Sequence, residues 1–414
     1  MKTRLLKLAL CAMAALPIGA WADDVQNKAT ATWMFDQFGK GVTLFTNNKN
    51  VKVFDFDGLY AVVGVNEKTG QQLTTVMARL TNAMKDGDDV IFPSGYYTGL
   101  DFSDGRGKGI DKAASSDAGG NRLSLQIVTS GTLYVLCRNR SANERTIGVF
   151  QGNATEASAS TENTTTDFQM IKVNISTSAR YHITGFYNGN TGTGFQVYGV
   201  KFVSSGTSSI DKSLTIPSCG YATFSGPHTY TIAAHTKSTT PEVYYASAES
   251  DNNITLTKTT NNRIPACTGV IIKGAAGDEL TLRSVSDQQT VSNNLLVANL
   301  AAYALPVTTT INKGSDDTYY NYILVANDAS AVFAHTSGSG DLSANKAFLR
   351  TTTNVTSPGA PGFTLDFGTG TTGITEIEKS VNAGNEAVFN LNGQRVAQPK
   401  KGLYIVNGKK VIIK

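Results

Sequence analysis

Three groups of residues in this chain have types and spacings that could do chemistry. The first is aromatic. Tyr96 and Tyr97 follow Pro93-Ser-Gly95 and precede Gly99, and Tyr187-Asn-Gly-Asn-Thr-Gly-Thr-Gly-Phe195 is a Gly/Asn loop bracketed by rings. A pyranose presents an apolar C–H face and a rim of hydroxyls. An exposed aromatic ring flanked by amides meets both, and loops on a rigid scaffold are where such sites lie. Tyr96, Tyr97, Tyr187, Asn188, Asn190 and Phe195 are therefore the candidate ligand-binding residues. The competing reading is that these rings cap the core or a sheet edge.

The second group is acidic: Asp55-Phe-Asp-Gly58, Asp86-Gly-Asp-Asp89 and Asp101-Phe-Ser-Asp-Gly105. Calcium takes about six to eight oxygen ligands, which clustered Asp side chains and loop carbonyls could supply. Asp55, Asp57, Asp101 and Asp104 are the candidate ligands. None of the three turns has the full helix–loop–helix calcium pattern, and Asp and Gly are also ordinary turn residues. The third group is sulfur. Beyond Cys11 the chain has Cys137, Cys219 and Cys267. Cys219 and Cys267 fall in one predicted domain and are the pair that could form a disulfide in an oxidising compartment; three buried thiols are the alternative.

Other chemistries leave no mark. His182, His228, His235 and His335 are scattered, without metal-ligand spacing. No nucleophile elbow, phosphate-cradling Gly loop or Ser/His/Asp phrase is visible. Glycosidases use two carboxylates roughly 5–10 Å apart, a pairing that sequence does not reveal. The net charge is +4, and Lys2, Arg4 and Lys7 supply three of those charges, leaving 4 − 3 = +1 for the rest. A near-neutral chain has no electrostatic footprint for nucleic acid.

The elements that must position these residues are strands. Only 16% of residues are charged and Gly is abundant, a composition suited to sheet surfaces and turns. Runs such as Thr132-Leu-Tyr-Val-Leu-Cys137, Phe168-Gln-Met-Ile-Lys-Val173 and Phe195-Gln-Val-Tyr-Gly-Val-Lys-Phe-Val203 alternate apolar and polar. Trp33 reads as a core anchor in the opening strand. Leu73, Val76, Met77, Leu80 and Met84 recur at helical spacing, which predicts an amphipathic helix over 71–85 with Gly87 as its stop. The expected architecture is all-β: two jelly-roll-like sandwiches in tandem, 29–203 and 211–368, joined by a small-residue linker, 204–210. A linker and β tail cover 369–414. Residues 1–22 have a basic start, a short apolar run and Ala20-Trp-Ala22, the pattern of a secretory signal peptide. No later segment is long and apolar enough to be a transmembrane helix.

The tail carries the most specific pattern. Asn392-Gly393 and Asn407-Gly408 punctuate apolar runs as hairpin turns do, with a looser turn from Pro399 to Gly402. This meander resembles the C-terminal sorting domain of type IX secretion substrates, though it is shorter than the usual full domain. Asn392, Gly393, Gly402, Tyr404, Gly408 and Lys414 carry the likeness, and it implies recognition by the secretion machinery. The second domain is similar to a module of surface proteins from the same bacteria, through Gly220-Tyr-Ala-Thr-Phe224, Ile264 to Gly274 and Lys346 to Leu349. The first is similar, more faintly, to non-catalytic jelly-roll modules attached to polysaccharide-degrading enzymes, through Gly131 to Ser141 and Tyr181 to Val203.

Together these likenesses imply an exported, non-catalytic surface protein whose partner is an extracellular polysaccharide or a surface protein. A secreted lyase or glycoside hydrolase and a structural surface subunit are the alternatives. An enzyme implies a deep cleft with converging carboxylates or with Arg and Lys of shifted pKa. A sugar-binding module implies a groove with exposed rings, and a structural subunit an exposed apolar patch or open edge strand.

Overall fold

The alternating runs become strands, and in the computed structural model those strands build face-to-face sheets. Residues 26–413 are described except 48–51, 64–70, 103–120, 141–145, 153, 155, 163–165, 188–189, 288, 328–329, 337, 339, 356–361, 368–373, 377–387, 390–395, 397–400 and 407–408. The fold is all-β. Among the described residues there is no α-helix, only a single 3₁₀ turn at Thr260–Asn262.

The N-terminal half is a sandwich of an eight-stranded and a seven-stranded sheet. In the first, Arg122–Ile127 lies centrally, antiparallel to Ala179–Tyr187 on one side and Tyr60–Val63 on the other. In the second, Phe195–Ser204 is central. It pairs with Gly131–Asn139 along one edge and with Ala31–Met34 and Gly95–Phe102 along the other. Inward-facing Leu123, Leu125, Leu133, Val135, Val197 and Val200 are fully buried between the sheets, with Trp33 beside them.

The expected helix over 71–85 is instead a long strand, Gln71–Leu80, followed by a short hairpin strand, Met84–Asp86. The strand pairs over eight positions with Gly95–Phe102. Both of its faces are covered, and this explains the misleading spacing. Leu73 enters the sandwich core, whereas Val76, Ala78 and Leu80 pack on a second cluster with Phe92, Tyr97 and Tyr198. Apolar residues of both parities then mimic a 3.6-residue period. Gly87 takes φ = +61° in the turn between Met84–Asp86 and Asp89–Phe92, where it closes a hairpin rather than a helix.

The following region builds a four-stranded sheet and a ten-stranded sheet. Ile216, Phe224, Tyr230, Val243, Ile272 and Leu282 form a core between them. The ten-stranded sheet curls toward closure: beyond its edge strand Leu296–Asn299, the Leu295 N–H donates to the Ala246 carbonyl at 2.9 Å.

The described residues up to Leu365 cluster as one compact unit. The segment 204–210 is pinned at both ends, with Ser205 N donating to Ser130 O and Ile210 N to Ser284 Oγ. The seam between the halves is built from buried polar bonds. The Gln37 side chain donates to Ala301 O and accepts from Leu300 N, and Tyr303 Oη donates to Gln37 O at 2.6 Å. Phe38 and Tyr303 meet edge to face at 4.9 Å. Asp57, nearly buried, accepts from Lys212 Nζ at 2.6 Å and from Asn345 Nδ2 at 2.9 Å. These bonds satisfy groups that burial would otherwise leave unpaired.

Asp366–Lys414 is a second unit. In it Gly402–Val406 pairs antiparallel with Lys409–Ile413 and with Val388–Phe389, and Ile374–Glu376 runs parallel to Lys409–Ile413. The register sets Val406 opposite Lys409, which leaves two residues for the turn. Gly402 and Tyr404 lie on the middle strand. Asn392, Gly393, Gly408 and Lys414 lie outside the described residues.

Candidate functional site

Within the first unit, a cleft of about 470 Å³ opens where the two halves meet. The N-terminal sandwich contributes Met34 and Asp36 from the end of the opening strand, Met77 from the long strand, and Tyr96 and Thr98 from its partner. The other wall comes from Thr268, from Asn294 to Ala298, from Lys313 and Tyr319 on a hairpin, and from Arg350. That hairpin joins Thr308–Asn312 to Asp316–Asn327. It is fastened to the sandwich by Lys40 N donating to Thr310 O and by the Lys40–Asp316 ion pair at 2.8 Å.

Asp36 and Arg350 give the cleft its electrostatics. The Asp36 side chain opens onto the cleft, yet protein surrounds it there. The resulting desolvation raises its carboxyl pKa, against the opposing pull of Thr98 N–H, which donates to Oδ1 at 3.4 Å, and of the Arg350 charge. Arg350 is buried. Its guanidinium donates to Asn321 Oδ1 at 2.9 Å and to the main-chain carbonyls of Asp36 and Gln37 at 2.7 Å each, over the Phe348 ring. Burial lowers its pKa, opposed by Tyr303 and Asp36, and a guanidinium so held stays charged. Tyr96 and Tyr319 are half-buried and line the cleft. The Arg79 guanidinium lies 5.7 Å from the Tyr96 ring centroid. Cys267 also lines the cleft, in a left-handed conformation at φ = +52°, but burial pushes its thiol pKa up, which makes it a poor nucleophile.

The structure separates the sequence candidates. Tyr96 reaches the cleft. Its neighbour Tyr97 does not: it is a core residue, 5% exposed, whose hydroxyl donates to Pro93 O at 2.6 Å. Phe195 is fully buried and stacks on Phe102 at 4.4 Å, so it offers no exposed ring. Tyr187 and Asn190 pair through their backbones next to a register shift, and Asn188 lies outside the described residues.

Among the described residues, the acidic candidates are engaged by protein groups and are not gathered for calcium. Asp57 is held by Lys212 and Asn345, and Asp55 accepts from Gly58 N–H. Asp101 is held by Arg140 at 2.9 Å and by Gln196, with burial still outweighing Arg140 and raising its pKa. Asp55 and Asp101 belong to strands of different sheets, and Asp104 is outside the described residues. No group of three His, Cys, Asp or Glu among the described residues is placed to share an ion. The disulfide is also absent: Cys137, Cys219 and Cys267 are free thiols. Cys219 Sγ donates to Tyr221 O, whereas Cys267 Sγ donates to Thr32 O across the seam.

Sequence reading missed Asp36, Tyr319, Lys313 and Arg350. Asp36-Gln37 interrupts a run of buried rings, Phe35 and Phe38, and Arg350 ends the apolar Ala347-Phe-Leu349. A charge inside an apolar run was the available signal, because charged residues seldom sit among core residues without a task. No protein-family model matches this chain, and no curated protein matches it.

Proposed function

We propose that this is a non-catalytic, exported surface protein that binds an extracellular saccharide in the cleft between its two halves. One observation carries the reading: two half-buried tyrosines, Tyr96 and Tyr319, share a cleft with Asp36, Thr98, Asn294 and Lys313. Rings supply the surface for a sugar's C–H face, and a few fixed polar groups orient the hydroxyls. The basic n-region and Ala20-Trp-Ala22 support export, and the tail's three-stranded meander supports onward sorting. No helix among the described residues is long and apolar enough to cross a membrane.

A second reading, a polysaccharide-active enzyme, is favoured by the raised pKa of Asp36, a property of general acids. A glycosidase needs a second carboxylate across the bond. Asp36 is the one acid among the described lining residues, which is why we favour binding.

Full-length protein assayed on a broad glycan array is expected to retain at least one saccharide class. Tyr96→Ala is expected to weaken that retention about fivefold or more, from loss of ring stacking. Unchanged retention by Tyr96→Ala would remove the cleft as the site. Release of shortened or unsaturated products from the retained glycan would move the reading to an enzyme.

A further inference from the structure

We infer that the saccharide taken by this cleft is anionic, with carboxylate or sulfate groups on its rings. The inference rests on the binding reading and gives its ligand a chemical class. The cleft is lined by two cations, Arg350 and Lys313, and one acid, Asp36. Neither cation is neutralised in a direct ion pair among the described residues. Arg350 spends its donors on two main-chain carbonyls and the Asn321 amide oxygen.

Lys313 stands exposed on the hairpin turn, and the two acids nearest it in the chain are engaged elsewhere. Asp316 is held by Lys40 and Asn312, and Asp317 accepts from Ser315. The turn also sits beside the candidate stacking ring, since a Cβ at Gly314 would lie 3.6 Å from Tyr96 Oη. A sugar ring lying on Tyr96 would therefore sit beside the turn that carries Lys313.

The charges act as a unit, because Lys313 and Arg350 are both felt at Asp36. An uncompensated cation beside an aromatic ring is a poor match for a neutral glycan and a good one for a charged sugar, whose anionic group would complete the pair.

The test is titration of full-length protein with uronic-acid oligosaccharides, sulfated oligosaccharides, and the carboxyl-reduced and desulfated forms of each. The expected result is tighter binding of an acidic form than of its matched neutral form. Whether the carboxyl or the sulfate set binds identifies the anion. Lys313→Gln is expected to weaken the acidic ligand about fivefold, as loss of one exposed charge pair does, and the neutral form by less, so that the preference for the acidic form narrows. Lys313→Glu is expected to weaken it further. Lys313 is exposed on a turn, so neither variant threatens the fold. Equal affinity for acidic and neutral forms would overturn the anionic class while keeping saccharide binding. Failure of every saccharide, acidic and neutral, would overturn the binding reading as well.

Discussion

Replacing Arg350 by Met is expected to cost roughly 3–5 kcal/mol of stability, a large share of what holds most domains folded. The side chain is 7% exposed and donates three hydrogen bonds, two of them across the seam to main-chain carbonyls of the opposite half. Without it, Asp36 O and Asn321 Oδ1 lose this donor, and Gln37 O keeps only Tyr303 Oη. Each unmet buried polar group costs about 1–3 kcal/mol. Met fills much of the volume, so the loss reads the hydrogen bonds rather than a cavity. Arg350→Lys is expected to recover little, because one ammonium cannot span the three acceptors that the planar fork reaches. Urea unfolding followed by fluorescence reports this directly, as Trp33 is fully buried beside the same seam. A loss under about 1 kcal/mol would mean that the halves are held together without this residue.

Acidification is expected to destabilise the protein through His182. The imidazole is 2% exposed, and its Nδ1 lies 2.8 Å from Ser124 Oγ, which donates to it in the neutral tautomer protonated at Nε2. Burial, with Arg122 and Arg180 nearby, lowers its pKa to about 3 from the ordinary 6.5. Between those values the unfolded chain takes up a proton that the folded chain refuses. Folding stability from this group is therefore intact above pH 6.5 and is lost as the pH falls toward 3. The loss is somewhat more than about 1 kcal/mol per pH unit, roughly 4–5 kcal/mol over the window.

Carboxylates desolvated by the protein around them work the other way. Asp36, Asp55 and Asp101 have raised pKa values in the folded state, so acid relieves a cost that they impose at neutral pH. The wild-type curve sums both effects, and comparison with His182→Gln isolates the histidine. The variant keeps an acceptor for Ser124, and its advantage over wild type should grow as pH falls below 6.5. Parallel stability curves for the two proteins from pH 7 to 4 would contradict the assignment.

Much of the architecture was written in local pattern. Strands such as Gly131–Asn139 and Gln169–Ile175 have one face in the core, and their alternation shows it. The pattern failed where both faces of a strand are covered, as in Gln71–Leu80, because burial on two sides erases the two-residue period. Aromatic candidates divided on the same ground: Tyr96 and Tyr97 are neighbours on one strand and therefore point to opposite faces, one into the cleft and one into the core. Nothing local distinguishes them. The cleft was less legible still. Its Asp36 and Arg350 meet across a sequence separation of more than three hundred residues, and only the seam brings them together. The polar bonds of Gln37 and Asp57 that fix that seam are likewise long-range.

The central claim is that ligand enters the cleft between the halves, and a hydrogen-exchange footprint tests it most directly. Full-length protein would be compared with and without the glycan it retains best. The account predicts slowed exchange in 95–98, 294–298 and 311–319, segments from both halves that line the cleft. Protection confined to the 187–195 strand pair, with those three segments unchanged, would contradict it and return the site to the aromatic Gly/Asn loop.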